Sequence, residues 1–154
     1  MKRLSIIIVC ALALFITSCQ KADNRDINGN TPTKVVEMMY KCIQNDDYVG
    51  AAKCCKIPES VDDKVYATYA KEYLEADGTI PTWREIVINS MIKQDAESKV
   101  ELAEFTVISE EISKTDPNNA NVKTRIVIVK NDVKSEAECS FPLKREENVW
   151  KIIG

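Results

Sequence analysis

The chain has 154 residues, with 21 basic and 24 acidic side chains and no histidine. Zero His removes the commonest general base and the commonest metal ligand, which excludes catalytic triads, zinc sites of the His type and haem ligation through His. An acidic chain is also a poor match for nucleic acid, whose affinity comes from Lys and Arg neutralising phosphates.

Lys2-Arg3 precedes an apolar run from Leu4 to Ile16 that closes on Thr17-Ser18-Cys19. A basic start, a short apolar core and small residues before a cut are the parts of a secretory signal. The run is too short for a spanning helix, which needs about 20 apolar residues. Residues Ile16-Thr17-Ser18-Cys19 resemble the lipobox of bacterial lipoproteins, in which Leu, a small residue and Gly or Ala precede an invariant Cys.

That resemblance implies a signal peptide at 1–18, removed on maturation, and acyl chains on Cys19, with the lipid bilayer as partner. At about 0.8 kcal/mol per buried methylene, three such chains hold a protein on a membrane permanently. The implied location is the bacterial cell envelope. Gln20 stands where many inner-membrane lipoproteins carry Asp, which favours the outer membrane and leaves the facing leaflet open. Cys10 falls in the removed segment. The remaining 136 residues hold 19 basic and 24 acidic side chains, a net charge of −5. They suit one domain of ordinary size, large enough to fold without a metal or a disulfide.

Gln20 to Asn30 contains one large apolar residue, Ile27, among Asp, Asn, Lys, Arg and Gly. Such a composition cannot offset its ordering entropy by burial, so 19–30 reads as a lipidated Cys and flexible tether ahead of a single domain at 31–154. Eleven extended residues reach about 36 Å. Thr31-Pro32 opens a first helix, Thr as N-cap and Pro where a donor is orphaned anyway. Val35, Met39, Cys42 and Ile43 fall on one face, with Val36 and Tyr40 beside them. After Asn45, Asp46 or Asp47 caps a short second helix bearing Tyr48, Ala51, Ala52 and Cys55.

Ser60 with Asp63 is a capping pair, and Val61, Val65, Tyr69 and Tyr73 recur at every fourth residue, the clearest helical pattern in the chain. Thr82 with Glu85 forms a second capping box before Trp83, Val87, Met91 and Ile92. The β-branched run Ile86-Val87-Ile88 also suits a strand, so 82–98 reads as helix or strand. From Ala103 the period becomes two. Phe105 and Val107 begin one strand, and Val122, Thr124, Ile126 and Ile128 mark a second. Asn131-Asp132 is a tight turn into a third strand with Ala137, Cys139, Phe141 and Leu143 on one face. Glu146-Glu147-Asn148 turns again, into a fourth strand at Val149 to Ile153. Helices first and an antiparallel meander second is an α+β pattern.

Thr31-Pro32 leading into a helix, Asn45-Asp46-Asp47-Tyr48 followed by Ala51-Ala52, strands of the Ala120 to Val129 kind and a terminal Val149-Trp150-Lys151-Ile152 together resemble small bacterial lipoproteins with a domain of unknown function. That domain is similar to the nuclear-transport-factor-2-like (cystatin-like) cone. The resemblance implies N-terminal helices packed against a curved antiparallel sheet of about four strands, with a pocket between them. Fold alone does not assign function, since the wider superfamily includes enzymes, binding modules and scaffolds.

Cys42, Cys54, Cys55 and Cys139 are candidates for disulfides in an oxidising envelope, and four cysteines allow three full pairings. Core packing is the plainer role for each, and their spacing matches no Cys-type metal cluster. Tyr40, Tyr69, Tyr73, Trp83 and Trp150 are candidates to line a pocket. Asp46 and Asp47 with Tyr40, Tyr48, Tyr69 and Tyr73 supply the residue types a lyase or isomerase of this superfamily would need, a base and hydrogen-bond donors. Helix capping and core packing account for the same residues, so no catalytic residue, metal or cofactor is assigned. The leading expectation is a non-enzymatic envelope lipoprotein that binds a small apolar ligand or another envelope protein. The alternatives are a lyase or isomerase with an Asp base, and a structural component of an envelope complex.

Overall fold

The first helix decides where everything else lies. In the computed structural model, which describes residues 24–73, 79 and 81–153, α1 spans Pro32–Gln44 and starts at Thr31, whose hydroxyl accepts from Lys34 N–H. Its buried stripe of Val35, Val36, Met39 and Tyr40 lies against the sheet. The signal segment 1–18 and Cys19 lie outside the described residues.

Three shorter or more peripheral helices follow. The α2 helix, Tyr48–Cys54, is capped by Asp47, which accepts from Gly50 N–H at 2.8 Å. Its small residues Ala51 and Ala52 are fully buried, which allows the close approach to α1 that their size implies. The next helix, α3, spans Asp63–Ala70 and α4 spans Trp83–Ser98. The latter settles 82–98 as helix. Thr82 accepts from Glu85 N–H while Glu85 accepts from Thr82 N–H, a complete capping box, and this local start outweighs the β-branched run.

The α3 segment corrects the sequence reading. The helix expected from its period-four pattern forms, but its cap is Asp62 rather than the Ser60 of the Ser60/Asp63 pair, and no residue of α3 is buried. Val65 is 43% and Tyr69 44% exposed. The helix leans on its neighbour only through points such as Tyr66 Oη donating to Pro81 O at 2.6 Å and the edge-on contact of Tyr69 with Trp83. A stripe of apolar residues makes a helix amphipathic without deciding whether a core lies within reach.

The sheet is a curved antiparallel meander in the order β1 (Val100–Ile112), β2 (Asn119–Lys130), β3 (Val133–Glu146) and β4 (Val149–Ile152). Two-residue turns join the last three. Asn131 and Asp132 have φ of 51° and 63°, and Glu147 and Asn148 have 50° and 60°; both pairs take the left-handed geometry that matches strand twist in a hairpin. Irregularities in β1 at Leu102/Glu104 and Val107/Ser109 add bend at the places where the sheet folds over α1.

Val122, Leu143 and Trp150 from the sheet, all 1% exposed or less, complete the core with α1. Tyr40 fills the interior. Its ring stacks on Phe105 at 4.8 Å and meets Phe141 edge-on at 5.7 Å, while its hydroxyl shares a 3.0 Å hydrogen bond with the fully buried Thr124 Oγ1.

The tether expected at 19–30 is shorter than composition implies, because residues 24–30 are fastened to the domain. The Asp26 carboxylate, 8% exposed as a residue, accepts from Asn28 N–H, Asn30 N–H and Trp150 N–H. Trp150 Nε1 donates to Asn24 O at 2.8 Å, and Ile27 N–H donates to Asn148 O at 2.8 Å. Hydrogen bonds to a buried carboxylate and indole supply here what apolar side chains do not, a term that a count of hydrophobic residues omits.

Replacing Tyr40 by Phe leaves Thr124 without its buried partner and is expected to lower stability by about 1–3 kcal/mol in urea denaturation. The double variant Tyr40→Phe/Thr124→Val, which removes both polar groups, should cost less than the sum of the single changes.

Candidate functional site

The cleft forms where α4 turns into β1. Lys99 closes α4 in the left-handed conformation, φ 50°, and the chain enters β1 at Val100 without a loop. The strand therefore diverges from the helix it follows, and the end of α1 forms the back wall of the gap. Gln44 holds that wall in place, its Nε2 donating to Leu102 O and Ala103 O at 3.2 and 3.3 Å beside the first β1 irregularity.

The resulting cleft has a volume of about 690 Å³. Ile43, Met91, Val100, Leu102 and Ala103 give it an apolar base, and Gln44, Asp46, Tyr48, Gln94, Asp95, Ser98 and Glu101 give it a polar rim. Three carboxylates face a lining that contains no Lys or Arg. Tyr48 is the best-placed donor: its hydroxyl donates to Asp46 Oδ1 at 3.5 Å. Partial burial, then the neighbouring carboxylates of Asp95 and Asp46, pushes its phenol up to about 12.

The five residues expected to line a pocket, Tyr40, Tyr69, Tyr73, Trp83 and Trp150, are not among those that line this cleft. Tyr40 and Trp150 are core residues, the first plugging the cone and the second 1% exposed with Arg145 stacked on its ring at 5.2 Å. Tyr69 pairs edge-on with Trp83 at 5.8 Å on the outer helices, and Tyr73 Oη accepts from Ser90 Oγ at 3.1 Å. Of the residues weighed for chemistry, Asp47 is the α2 cap, while Asp46 and Tyr48 do reach the cleft. The signal that identifies Asp46 is redundancy: one helix start uses one cap, and Asn45-Asp46-Asp47 offers more. Gln94, Asp95 and Ser98 share an exposed helical face next to Met91, a pattern indistinguishable in sequence from an ordinary solvated surface.

All four cysteines of the domain are free thiols. Cys54 is buried, donates to Gly50 O at 3.7 Å, and is pushed up to about 11, first by burial and then by its neighbours Cys42 and Cys55. Burial likewise raises Cys42 and Cys55, so these thiols are neutral at physiological pH and poor nucleophiles. Cys139 lies on β3 beside the Tyr40 hydroxyl. Among the described residues no group of three Cys, Asp or Glu side chains is placed to hold a metal ion.

No family model and no curated protein sequence matches the chain. Solved structures do. An NTF2-like protein of unknown function from Shewanella oneidensis MR-1 superposes with a TM-score of 0.51 at 14% identity, over 79% of this chain and 91% of its own. A Campylobacter jejuni protein described as an NTF2-like transpeptidase gives 0.48 at 12%, over 81% and 99%. An LEH-like epoxide hydrolase from M. tuberculosis gives 0.46 at 8%, over 79% and 76%. The domain thus has the NTF2-like fold expected from the sequence, and at these identities the likeness extends to the fold alone.

Alkaline titration provides a check on the cleft. Because the Tyr48 phenol is held up in the folded protein, its neutral form favours folding below pH 10, and that contribution is lost as pH rises from 10 through about 12. Followed by phenolate absorbance, Tyr48→Phe should remove a late-titrating group; a titration unchanged by that substitution would contradict the placement of Asp46 and Asp95 around the hydroxyl.

Proposed function

We propose that this protein is a cell-envelope lipoprotein, anchored through Cys19, whose NTF2-like domain is a binding module with its ligand seated in the cleft between α4, the end of α1 and the start of β1. The observation that carries the binding reading is the cleft itself. The cone interior is taken up by Tyr40, Phe105 and Phe141, which moves the seat of the small ligand expected from sequence to the cleft. The open cleft, apolar at its base and carrying Asp46, Asp95 and Glu101 without a basic side chain, suits a small ligand that is cationic at one end and apolar at the other. Favourable charge at the rim and apolar contact at the floor are the usual division of labour in a small-molecule site.

A carboxylate base for a lyase or isomerase is present in kind, since Asp46 and Asp95 flank Tyr48. Abstraction of a carbon-bound proton works in a site sheltered from water, and both carboxylates are solvent-exposed. Binding therefore accounts for the arrangement better than catalysis.

The anchor rests on the lipobox resemblance of Ile16 to Cys19. Intact mass of the membrane-extracted protein should show acyl chains, and Cys19→Ala should release it to the soluble fraction; an unmodified soluble mature protein would refute the anchor. For the cleft, native mass spectrometry of protein isolated from membranes should reveal a bound small molecule that is lost in Asp95→Lys. A bare protein would overturn the ligand reading, and a co-purified envelope protein in its place would move the proposal to a protein partner.

A further inference from the structure

The attachment of residues 24–30 has a geometric consequence for the anchored molecule. Cys19 and Asn24 are five residues apart, so the point where the chain becomes fixed to the domain lies at most about 17 Å from the acylated residue. Asn24, Asp26 and Ile27 are bound at one end of the cone. Trp150 and Asn148 hold them there, and Arg145 extends the same end, donating from Nη1 to Arg25 O at 3.4 Å and from Nε to Asn118 Oδ1 at 3.1 Å.

The cleft is at the other end. Thr33, at the start of α1, donates from its N–H to Glu110 Oε2 at 2.9 Å, near the close of β1, whereas Gln44, at the end of α1, bonds to Leu102 and Ala103, near the beginning of β1. Thr33 and Gln44 lie on one helix, which separates these two levels by about 17 Å. Val100 pairs with Lys130, so the β2–β3 turn lies beyond the cleft. The 12 residues of β2 place that turn about 37 Å from the loop at 113–118.

A second observation points the anchored end at lipid. Ile27 is 73% exposed, the most exposed large apolar side chain among the described residues. It projects from the segment closest to Cys19, where a membrane surface would cover it.

We propose that residues 24–30 are a clamp that orients the domain on a lipid surface. Ile27, the 113–118 loop and the Glu147-Asn148 turn face the head groups, and the cleft opens away from the bilayer. This rests on the lipidation of Cys19. A free tether of eleven residues would let the domain tumble; a five-residue leash to a fixed point does not. The orientation presents the cleft to molecules arriving from the aqueous side and denies it to membrane lipid beneath.

The test uses the full lipidated chain in nanodiscs containing a gadolinium-chelating lipid, read by amide NMR. Asn118 and Asn148 should lose their signals, and Asn131 and Asp132 should keep theirs. A long Gly/Ser insertion between Gln20 and Lys21, which leaves the fold untouched, should abolish the contrast, as should Asp26→Ala, which frees the clamp. Intact mass separates the two ideas. A chain without acyl groups overturns the anchor and the orientation together, while a lipidated chain whose two ends broaden alike overturns the orientation alone. A contrast that survives the insertion would show that the face binds lipid without the leash, and would overturn the clamp.

Discussion

The packing of α1 across the sheet is the constraint from which the rest follows. Val36 and Val122 are both fully shielded from solvent, and Tyr40 closes the remaining space between Phe105 and Phe141. Each fully buried aliphatic side chain contributes about 1.5–3 kcal/mol, so this seam supplies much of what opposes chain entropy in the domain. It also dictates what the fold can hold. A tyrosine and its hydrogen bond to Thr124 occupy the space between helix and sheet, and the open cleft lies at the far end of α1.

Much of this architecture is legible in the chain. The Thr31-Pro32 start, the Thr82/Glu85 capping box and the Asn131-Asp132 turn are local devices whose chemistry is complete within four residues, and each appears where the sequence puts it. The shift from helical to alternating periodicity after Ala103 reflects burial on one face of a sheet, which is why the order of strands could be anticipated.

The site was less accessible. Aromatics commonly line pockets, but in this chain Tyr40 and Trp150 build the interior while Tyr69, Tyr73 and Trp83 lie at the outer helices. Trp150 illustrates the reason: a large ring in a closing strand has the same alternation whether it faces a ligand or α1. The cleft depends on the angle at Lys99 between α4 and β1 and on the end of α1, where Gln44 meets Leu102 and Ala103 from far away in sequence. Its polar rim, Gln94, Asp95 and Ser98, looks like any wet helix face until the neighbouring strand is known. The same limitation exaggerated α3, whose spacing is regular but whose surroundings are solvent.

The two borders of the sheet also differ in how they are closed to further strands. At one border β4 has only four residues, and the chain after α2 covers it, with Lys56 N–H donating to Ile152 O at 2.7 Å. At the other, β1 runs for 13 residues but is interrupted by its two bulges and carries Glu101, Glu104, Glu110 and Glu111. Breaks in pleat and repeated negative charge deter a second strand from joining. A sheet with both borders blunted in this way resists edge-to-edge aggregation wherever copies of the chain meet at high concentration.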